Sequence, residues 1–223
     1  MVLFHFGDRM KYTHIIWDFN GTILNDVQTG IDAVNVLLDR YGKKPLESAE
    51  QYRKIFGFPV IDYYDSIGLE RENFARYAPE WVREYNLREP YAPIFDGIID
   101  MLKYFQQQGI PQYLLSATEQ QMLGAQVDRL GIRAYFDELI GQDGIEAHGK
   151  ADTAKRFAER VQPKCALFIG DSLHDFEVAQ TIGAECVLLA WGHQDRVRLE
   201  TTGGRIFDKI ADLQAAFENG EME

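Results

Sequence analysis

Cysteine is nearly absent from this chain, which has two cysteines among its 223 residues. So few thiols exclude a disulfide framework of the kind that holds small secreted domains together. Cys165 and Cys186 each lie beside an apolar run of the sequence. We therefore expect two buried thiols in a protein of the reducing cytoplasm.

The chain also lacks an apolar run long enough to span a membrane, and the segment from Met1 to Met10 lacks the apolar core of a signal peptide. Basic residues are few, with 23 lysines and arginines against 35 acidic residues and a formal charge of −12. This charge argues against a nucleic-acid partner or an anionic membrane surface. It does not exclude a phosphorylated ligand, because a local pocket can be positive inside an acidic protein. Met10 is an alternative start to the chain.

What the chain does contain is an alternation of short apolar runs with amphipathic segments, which is typical of strands and helices in turn. The predicted strands lie at residues 14–17, 113–115, 136–140, 166–169 and 186–189. The predicted helices of this part lie at residues 98–105, 121–130, 151–161 and 173–182. Because such alternation implies right-handed crossovers, we expect an α/β fold with a Rossmann-like parallel sheet and helices on both faces.

Residues 24–92 interrupt this alternation, since they show helical patterns without convincing strands. An apolar stripe runs from Ile31 to Tyr41 and ends at Gly42, and tyrosines are concentrated in the same region. Most of these tyrosines are expected to pack rather than to bind a ligand. We predict an inserted all-helical cap domain over residues 24–92, and an α/β core domain formed by residues 1–23 and 93–223. The insertion follows the first strand directly and is therefore placed to cover the end of that strand.

Acidic residues follow two of the predicted strands. Asp18 comes directly after the first strand, and Asp171 and Asp175 follow the strand at residues 166–169. Ligands of such sheets bind at the carboxyl ends of the strands, so we expect these carboxylates to meet there, together with Ser116. Carboxylates that meet repel one another unless a cation lies between them, and hard oxygen ligands suit Mg²⁺.

Four motifs in this order resemble those of the haloacid dehalogenase superfamily. They are residues 18–22 (Asp-Phe-Asn-Gly-Thr), residues 114–118 (Leu-Leu-Ser-Ala-Thr), Lys150, and residues 170–175 (Gly-Asp-Ser-Leu-His-Asp). The resemblance covers nearly the whole chain. It is greatest to the phosphoglycolate-phosphatase-type branch, whose helical cap is inserted just after the first motif.

The resemblance implies a Mg²⁺-dependent phosphatase that forms an aspartyl-phosphate on Asp18. It implies that the backbone carbonyl of Asn20 and the Asp171 carboxylate complete the protein's metal ligands, and that Asp175 holds a metal-bound water or positions Lys150. Lys150 would neutralise Asp18 and a phosphoryl oxygen, although Lys155 lies on the same predicted helix. The implied phosphate-binding positions are Ser116, Ala117, Lys150, Gly21 and Thr22.

Asn20 departs from the pattern, because phosphatases of this superfamily usually carry Asp two residues after the nucleophile. That Asp is the general acid for the leaving alcohol and the base for the hydrolytic water, and an amide cannot perform either step. Three outcomes stay open: a slow or acid-independent phosphatase, a hydrolase of carbon–phosphorus bonds, and a protein that binds phosphorylated ligands without turnover. Cleavage of a carbon–phosphorus bond would need a cap lysine to form an imine. The candidates are Lys43, Lys44 and Lys54.

Dehalogenases of the superfamily also lack an acid at this position, but they need no metal, and the paired acids Asp171 and Asp175 argue against that activity.

The expected ligand is a small phosphorylated metabolite, because a lid excludes macromolecules. Arg53 and Lys54 are candidate contacts for a substrate carboxylate, but the pattern favours a solvated helix face. His148, His174 and His193 lack the spacing of a transition-metal site and are assigned to the surface or to helix ends. The sequence does not indicate an oligomeric state.

Overall fold

The computed structural model describes residues 10–142 and 150–222. His148 therefore lies outside the described residues, whereas Met10, the alternative start, is the first of them. Within them a six-stranded sheet carries helices on both faces, which confirms the α/β prediction. No helix in this part of the chain is both long enough and apolar enough to cross a bilayer.

The strands of the sheet are all parallel and lie in the order β3-β2-β1-β4-β5-β6. They are β1 His14–Trp17, β2 Gln112–Glu119, β3 Glu138–Gln142, β4 Ala166–Gly170, β5 Glu185–Leu189 and β6 Arg205–Phe207. The central strand β1 pairs with β2 on one side and with β4 on the other, so the order of strands reverses there. Such a switch point opens a crevice at the carboxyl ends of the strands.

The helices that flank the sheet are α5 Ile98–Gln107, α6 Gln120–Arg129, α7 Lys150–Val161, α8 Leu173–Thr181, α9 Arg196–Glu200 and α10 Ile210–Glu218. Strand β1 shows why a core forms on each face of the sheet. Ile15 and Trp17 belong to one buried cluster and Ile16 to another, because successive strand side chains point to opposite faces. All three side chains are completely buried.

A helical segment lies between β1 and α5, as predicted. Its helices are α1 Val27–Arg40, α2 Ala49–Ile55, α3 Val60–Ser66 and α4 Phe74–Arg88. It has an apolar cluster of its own, which extends from Val27 to Tyr77 and includes Leu37 and Leu38. The two connections to the sheet run side by side, since Asn25 N donates to Pro93 O at 2.8 Å.

Several local predictions were wrong. Strand β2 continues through the Ser116 region as far as Glu119, and β3 begins two residues later than predicted. Strand β6 was missed, because three residues are too few for a clear periodic pattern. Cys165 is exposed and Cys186 is only half-buried, because each lies at the amino-terminal end of its strand, where coverage is poorest.

Candidate active site

Asp18 lies at the carboxyl end of the central strand. Its backbone N–H donates to Ile169 O at 2.8 Å, so the chain keeps its pairing with β4 for one residue beyond β1. The side chain therefore points from the edge of the sheet into the crevice at the switch point. Only 6% of the residue is exposed. Sequence reasoning had placed this carboxylate at the same edge.

Asp171 and Asp175 come from the turn between β4 and α8. Ser172 caps α8, and its hydroxyl accepts from Asp175 N at 3.2 Å. Asp175 Oδ2 in return accepts from Asp171 N and Ser172 N, both at 3.0 Å, and from the Ser172 hydroxyl at 2.7 Å. This reciprocal capping box fixes the Asp175 carboxylate and leaves its Oδ1 free for another partner.

Lys150 is that partner. Its buried ammonium donates to Asp175 Oδ1 at 2.5 Å and to Asp18 Oδ1. Lys150 is the first described residue of α7, and its side chain reaches over the end of the sheet between the two acids. The other candidate, Lys155, is exposed and pairs with Asp152 on the surface. The structure thus places Lys150, and not Lys155, among the acids.

Three carboxylates meet at this point. Asp18, Asp171 and Asp175 each offer an oxygen atom, and these oxygens all lie within 4.8 Å of one another. All three residues are buried, and Lys150 supplies one positive charge against three negative ones. Burial and the neighbouring acids raise the pKa of Asp18 to about 8, and burial with Asp175 raises the pKa of Asp171 to about 6. The cluster therefore carries an excess of negative charge.

Asp175 responds differently, although it shares the same lysine. Burial opposes its ionisation, but Lys150 and the donors of the capping box hold its pKa below the ordinary value. Asp18 instead faces the two other carboxylates, which make its charged form unfavourable. Asp175 is thus a support for Lys150 whose charged form is favoured, whereas Asp18 and Asp171 ionise readily only beside a cation.

Oxygen donors that converge in a buried place fit a hard divalent cation. Asp171 is held in place for such a role, because its Oδ1 accepts from the Thr22 hydroxyl at 3.1 Å and its Oδ2 from His193 N at 2.5 Å. Thr22 is completely buried and does not line the cavity described below. Its hydroxyl thus orients a carboxylate.

Gly21 lets the chain pass close to Asp171. Its φ of +75° favours glycine, and an added Cβ would lie 2.3 Å from Asp171 Oδ2 and 2.4 Å from His193 Cδ2. No side chain fits there without moving the acid. The position therefore requires glycine for its backbone conformation and for its lack of a side chain.

We expect Gly21→Ala to lower both stability and activity. Gly42→Ala is the matched control, since Gly42 has φ +65° but nothing within 4 Å of an added Cβ. The control should lose about 1–2 kcal/mol for the left-handed conformation alone. Gly21→Ala should lose about 1–3 kcal/mol more through overpacking. Urea unfolding measures both, and equal losses would contradict the close approach to Asp171.

Both polar atoms of the Asn20 side-chain amide are hydrogen-bonded. Its Nδ2 donates to Asp26 Oδ2 and to the Tyr85 hydroxyl, both at 2.9 Å. Its Oδ1 accepts from the Thr118 hydroxyl at 2.9 Å and from the Ser116 hydroxyl at 3.4 Å. The amide thus joins β2 to the helical segment. An ionised carboxylate at this position would face Asp26 without a donor.

Asp26 is a functional-site residue that sequence reasoning missed. It is buried and accepts from Gly21 N at 2.8 Å, from the Tyr85 hydroxyl at 2.6 Å and from the Asn20 amide. Burial opposes its charge, but His193 and these donors hold the pKa of Asp26 below its ordinary value. The sequence offered no spacing that marks it, because Tyr85 and His193 lie 59 and 167 residues away along the chain.

His193 was assigned to the surface or to a helix end, and this was wrong. It is buried, with Nε2 3.2 Å from Asp26 Oδ1 and Nδ1 2.8 Å from the Tyr52 hydroxyl. Burial lowers the pKa of an imidazole, but Asp26 and Asp171 outweigh this and raise the pKa of His193 to about 9. Its place shortly after β5, at the edge where the acids meet, is the signal that could have found it.

The predicted phosphate-binding residues of β2 lie beside the acids. Ser116 is buried and its hydroxyl lies 3.1 Å from the Thr118 hydroxyl and 3.1 Å from Thr118 N. Ala117 is exposed and lines the cavity together with Thr118. The strand end therefore presents hydroxyl groups toward the Asn20 amide beside the cavity.

The helical segment is attached to the loop after β5. Arg53 donates from Nε to Gly192 O and from Nη2 to Trp191 O, both at 2.7 Å. Gln194 Nε2 donates to Phe56 O at 3.2 Å. The interpretation of Arg53 as part of a solvated face was wrong, because its guanidinium satisfies two carbonyls across this contact. Lys54 is exposed and pairs with Glu50 on its own helix.

A cavity of about 400 Å³ lies between the helical segment and the carboxyl ends of the strands. Asp18, Asp171, Asp175 and Lys150 line one part of it. None of the three lysines considered for imine chemistry lines it, and Lys43 pairs with Glu70 at 2.5 Å. In the described part of the chain, none of these three candidate amines lies at the cavity, and Lys150 is held by Asp18 and Asp175.

The chain is similar to one protein family and to several named phosphatases. The family model described as haloacid dehalogenase-like hydrolase matches residues 15–189. Phosphoglycolate phosphatase 1 of Pseudomonas aeruginosa is 22% identical over 210 residues, which span 89% of this chain and 77% of that protein. The phosphoglycolate phosphatase of Synechococcus elongatus is 25% identical over 185 residues, 83% of this chain and 87% of that protein.

The same fold occurs in a solved structure. A hydrolase of the haloacid dehalogenase-like family from Streptococcus pneumoniae has a TM-score of 0.80 and 24% identity to this chain. The match covers 93% of this chain and 99% of that one. The likeness includes the helical segment, because so little of either chain is left unmatched.

Proposed function

The chain belongs to the family of haloacid dehalogenase-like hydrolases, and we propose that it is a Mg²⁺-dependent phosphatase of a small phosphorylated metabolite in the cytoplasm. The observation that carries the proposal is the meeting of three buried carboxylates from two strand ends with one buried lysine. The similarity to proteins named phosphoglycolate phosphatase supports the same reaction type.

Asp18 is the proposed nucleophile. One of its carboxylate oxygens bonds to the phosphorus of the substrate while the bond from phosphorus to the alcohol oxygen breaks. The resulting aspartyl-phosphate is then hydrolysed by water, which releases inorganic phosphate and restores the carboxylate. A covalent route of this kind divides one difficult displacement into two easier ones.

The remaining residues position the phosphoryl group and balance its charge. Lys150 neutralises Asp18 and a phosphoryl oxygen, and Asp175 keeps the ammonium in place. The Ser116 hydroxyl and the backbone amide of Ala117 are proposed to donate to phosphoryl oxygens, with Gly21 and Thr22 at the same strand end. Catalysis of phosphoryl transfer depends largely on such positioning and electrostatic stabilisation.

Asp18, Asp171 and the backbone carbonyl of Asn20 would hold the magnesium ion, with Asp175 behind them. When bound, the ion supplies Lewis acidity and cancels the repulsion between the nucleophile and the substrate dianion. The raised pKa values of Asp18 and Asp171 support this assignment, because they record the charge that a cation would compensate.

The domain division is part of the proposal. Residues 24–92 form a cap over the core of residues 1–23 and 93–223, and the cap closes the cavity to macromolecules. The separate apolar cluster of the helical segment and the paired connections at Asn25 and Pro93 support it. A small alcohol group then lies under the cap while its phosphate lies at the strand ends.

A panel of small phosphomonoesters with Mg²⁺ tests the function. Release of inorganic phosphate is measured for the wild type and for Asn20→Asp, since an acid at position 20 should increase a slow activity. Hydrolysis of at least one ester supports a phosphatase. Tight binding of the esters without hydrolysis by either protein would instead establish a phospho-ligand-binding protein.

The metal site makes a prediction that does not depend on activity. Because the three carboxylates outnumber the single ammonium of Lys150, binding of Mg²⁺ should raise the unfolding temperature of the metal-free protein. A concentration of 100 times Kd stabilises by about 2.7 kcal/mol, or roughly 5–10 °C for a chain of this size. Differential scanning calorimetry with and without MgCl2 measures the shift.

The control separates site binding from salt screening. Asp171→Asn should lose most of the Mg²⁺ shift, whereas Asp100→Asn should retain it, because the exposed Asp100 pairs only with Lys103 on α5. NaCl of equal ionic strength accounts for the general effect of salt. An equal shift in both variants would count against a metal ion at these acids.

A further inference from the structure

The part of the cavity wall that the helical segment provides is aromatic. Its aromatic residues include Tyr52, Phe56, Tyr63, Tyr64, Trp81 and Tyr85, beside smaller residues such as Gly30 and Val82 and the polar Asp26 and Asn86. The rings contact one another, with centroid distances of 5.2 Å for Phe56 and Tyr63 and 4.9 Å for Trp81 and Tyr85. They therefore form two packed groups of rings, one of Tyr52, Phe56, Tyr63 and Tyr64 and one of Trp81 and Tyr85.

Free cations are missing from the described part of this cavity, because the imidazole of His193 already pairs with Asp26. Among the described residues that line the cavity, Lys150 is the only lysine or arginine, and Asp18 and Asp175 already engage it. Residues 143–149, which lie outside the description, contain neither lysine nor arginine in the sequence. A carboxylate on the alcohol group of a substrate would thus find no unpaired lysine or arginine among the described residues that line the cavity.

The basic residues of the helical segment are engaged elsewhere. Arg40 pairs with Glu80, Lys43 with Glu70 and Arg88 with Glu84. Arg53 is bound to the carbonyls of Trp191 and Gly192. None of these four side chains lines the cavity.

Most polar groups of the wall repel an anion or already have partners, but the buried Tyr63 hydroxyl has no hydrogen-bond partner among the described residues. Asp26 is charged but has four partners within the protein, among them His193 and Asn20. Glu119 accepts from Met122 N at 2.9 Å and contributes another negative charge. Because a buried carboxylate needs a cationic partner or several donors, a neutral hydroxyl compensates its charge poorly, and the wall disfavours a carboxylate.

On the basis of the phosphatase function proposed above, we propose that the substrate is a phosphomonoester of an uncharged, largely apolar alcohol about the size of one aromatic ring. Its phosphate lies at the strand ends and its apolar group lies against the aromatic wall. Burial of that group supplies binding through the hydrophobic effect. This substrate class differs from phosphoglycolate, whose carboxylate would face the same wall.

Three alkyl phosphates test the substrate class: 2-phenylethyl phosphate, phosphoglycolate and choline phosphate. All three release an alkyl alcohol, so that ease of bond cleavage does not decide the comparison. We expect kcat/KM with Mg²⁺ to be at least about tenfold higher for 2-phenylethyl phosphate than for phosphoglycolate. A preference for phosphoglycolate overturns the proposal, and so does a preference for the cationic choline ester.

A positive charge introduced into the cavity wall should shift the substrate preference of the protein toward phosphoglycolate. Val82 lines the cavity and is 42% exposed, so Val82→Lys introduces a cation at a position that tolerates one. Leu87→Lys is the matched control, because Leu87 lies on the same helix, is 63% exposed and does not line the cavity. The kcat/KM ratio should move at least about tenfold toward phosphoglycolate in Val82→Lys only. An unchanged ratio there contradicts the proposed position of the alcohol group.

Failure of this inference is distinguishable from failure of the phosphatase function. If the esters are hydrolysed but phosphoglycolate is preferred, the function stands and the apolar alcohol is excluded. If neither the wild type nor Asn20→Asp hydrolyses any ester, the function fails. Isothermal titration calorimetry of the wild type with the same three esters then tests whether the wall prefers an apolar group in binding alone. Tighter binding of 2-phenylethyl phosphate supports it, and equal, weaker or absent binding overturns it.

Discussion

Asp18→Asn abolishes phosphate release while the protein stays folded: this is the largest effect we expect from any single substitution. An amide oxygen is a poor nucleophile, and the loss of a nucleophile typically costs at least about 10⁴-fold in kcat. The geometry makes this residue hard to replace. The other two acids are engaged, Asp175 by the capping box and Asp171 by Thr22 and His193.

Stability provides the second readout for Asp18→Asn. Burial and the neighbouring carboxylates raise the pKa of Asp18 to about 8, so its negative charge is unfavourable in the metal-free protein. A neutral amide of the same shape removes that repulsion. We therefore expect the unfolding temperature without Mg²⁺ to equal or exceed that of the wild type, and the Mg²⁺ shift to be largely lost.

Asp100→Asn is the control for this pair of measurements, because it makes the same chemical change on the exposed surface of α5. It should keep full activity and the full Mg²⁺ shift. A variant Asp18→Asn that retains more than a few per cent of wild-type activity would exclude Asp18 as the nucleophile. A variant that simply unfolds would be recognised by calorimetry and circular dichroism.

Asn20→Asp should increase the hydrolysis of alkyl phosphates by about 10²-fold, because a positioned general acid contributes about 10²–10⁴-fold. The wild-type amide cannot donate a proton to the leaving alkoxide. In the variant the new carboxyl group lies close to Asp26, since the wild-type Nδ2 lies 2.9 Å from Asp26 Oδ2. Two carboxyl groups at this distance share a proton, which makes one of them available as an acid.

The leaving group distinguishes acid catalysis from a general improvement of the site. Ethyl phosphate releases a strongly basic alkoxide and should gain from the acid. The aryl ester 4-nitrophenyl phosphate releases a stable anion that needs no proton, so its kcat/KM should change little. An equal gain for both esters would show that the substitution acts through structure or binding and not through proton transfer.

A double variant, Asn20→Asp with Asp26→Asn, exchanges the acid and the amide while keeping a donor between the two positions. It should be more stable than Asn20→Asp alone, because the single variant sets two acids against each other. Tyr85 and the Thr118 hydroxyl remain as partners in both. If the single variant is as stable as the wild type, the close contact of Asn20 with Asp26 is not the constraint that the geometry implies.

Much of the fold was predictable because the spacing of apolar residues along the sequence indicates the strands and helices. The strand His14–Trp17 is an apolar run that ends at a polar turn, and its alternation gives each side chain a face of the sheet. The helical stripe from Ile31 to Tyr41 predicted α1. The motif residues Asp18 and Lys150 come together as expected from strand ends and helix starts. These features depend on neighbours in the sequence, so the sequence shows them directly.

The errors have a common cause. His193, Asp26 and Arg53 have ordinary neighbours in the chain, and nothing local marks them as buried or as contacts between segments. His193 meets Asp26 across 167 residues of sequence, and Arg53 meets Gly192 across 139. Contacts of this length arise only when the helical segment folds back over the sheet.

The sequence by itself thus determined the parallel sheet, the helical insertion and the convergence of acids at the strand ends, because periodicity and parallel topology require them. Only the tertiary structure decided how Asn20 is satisfied and what surrounds the substrate. From the sequence alone, the amide at position 20 indicates only that the usual acidic residue is absent. In the folded protein it is the donor that a buried Asp26 needs, and that relation depends on distance in space.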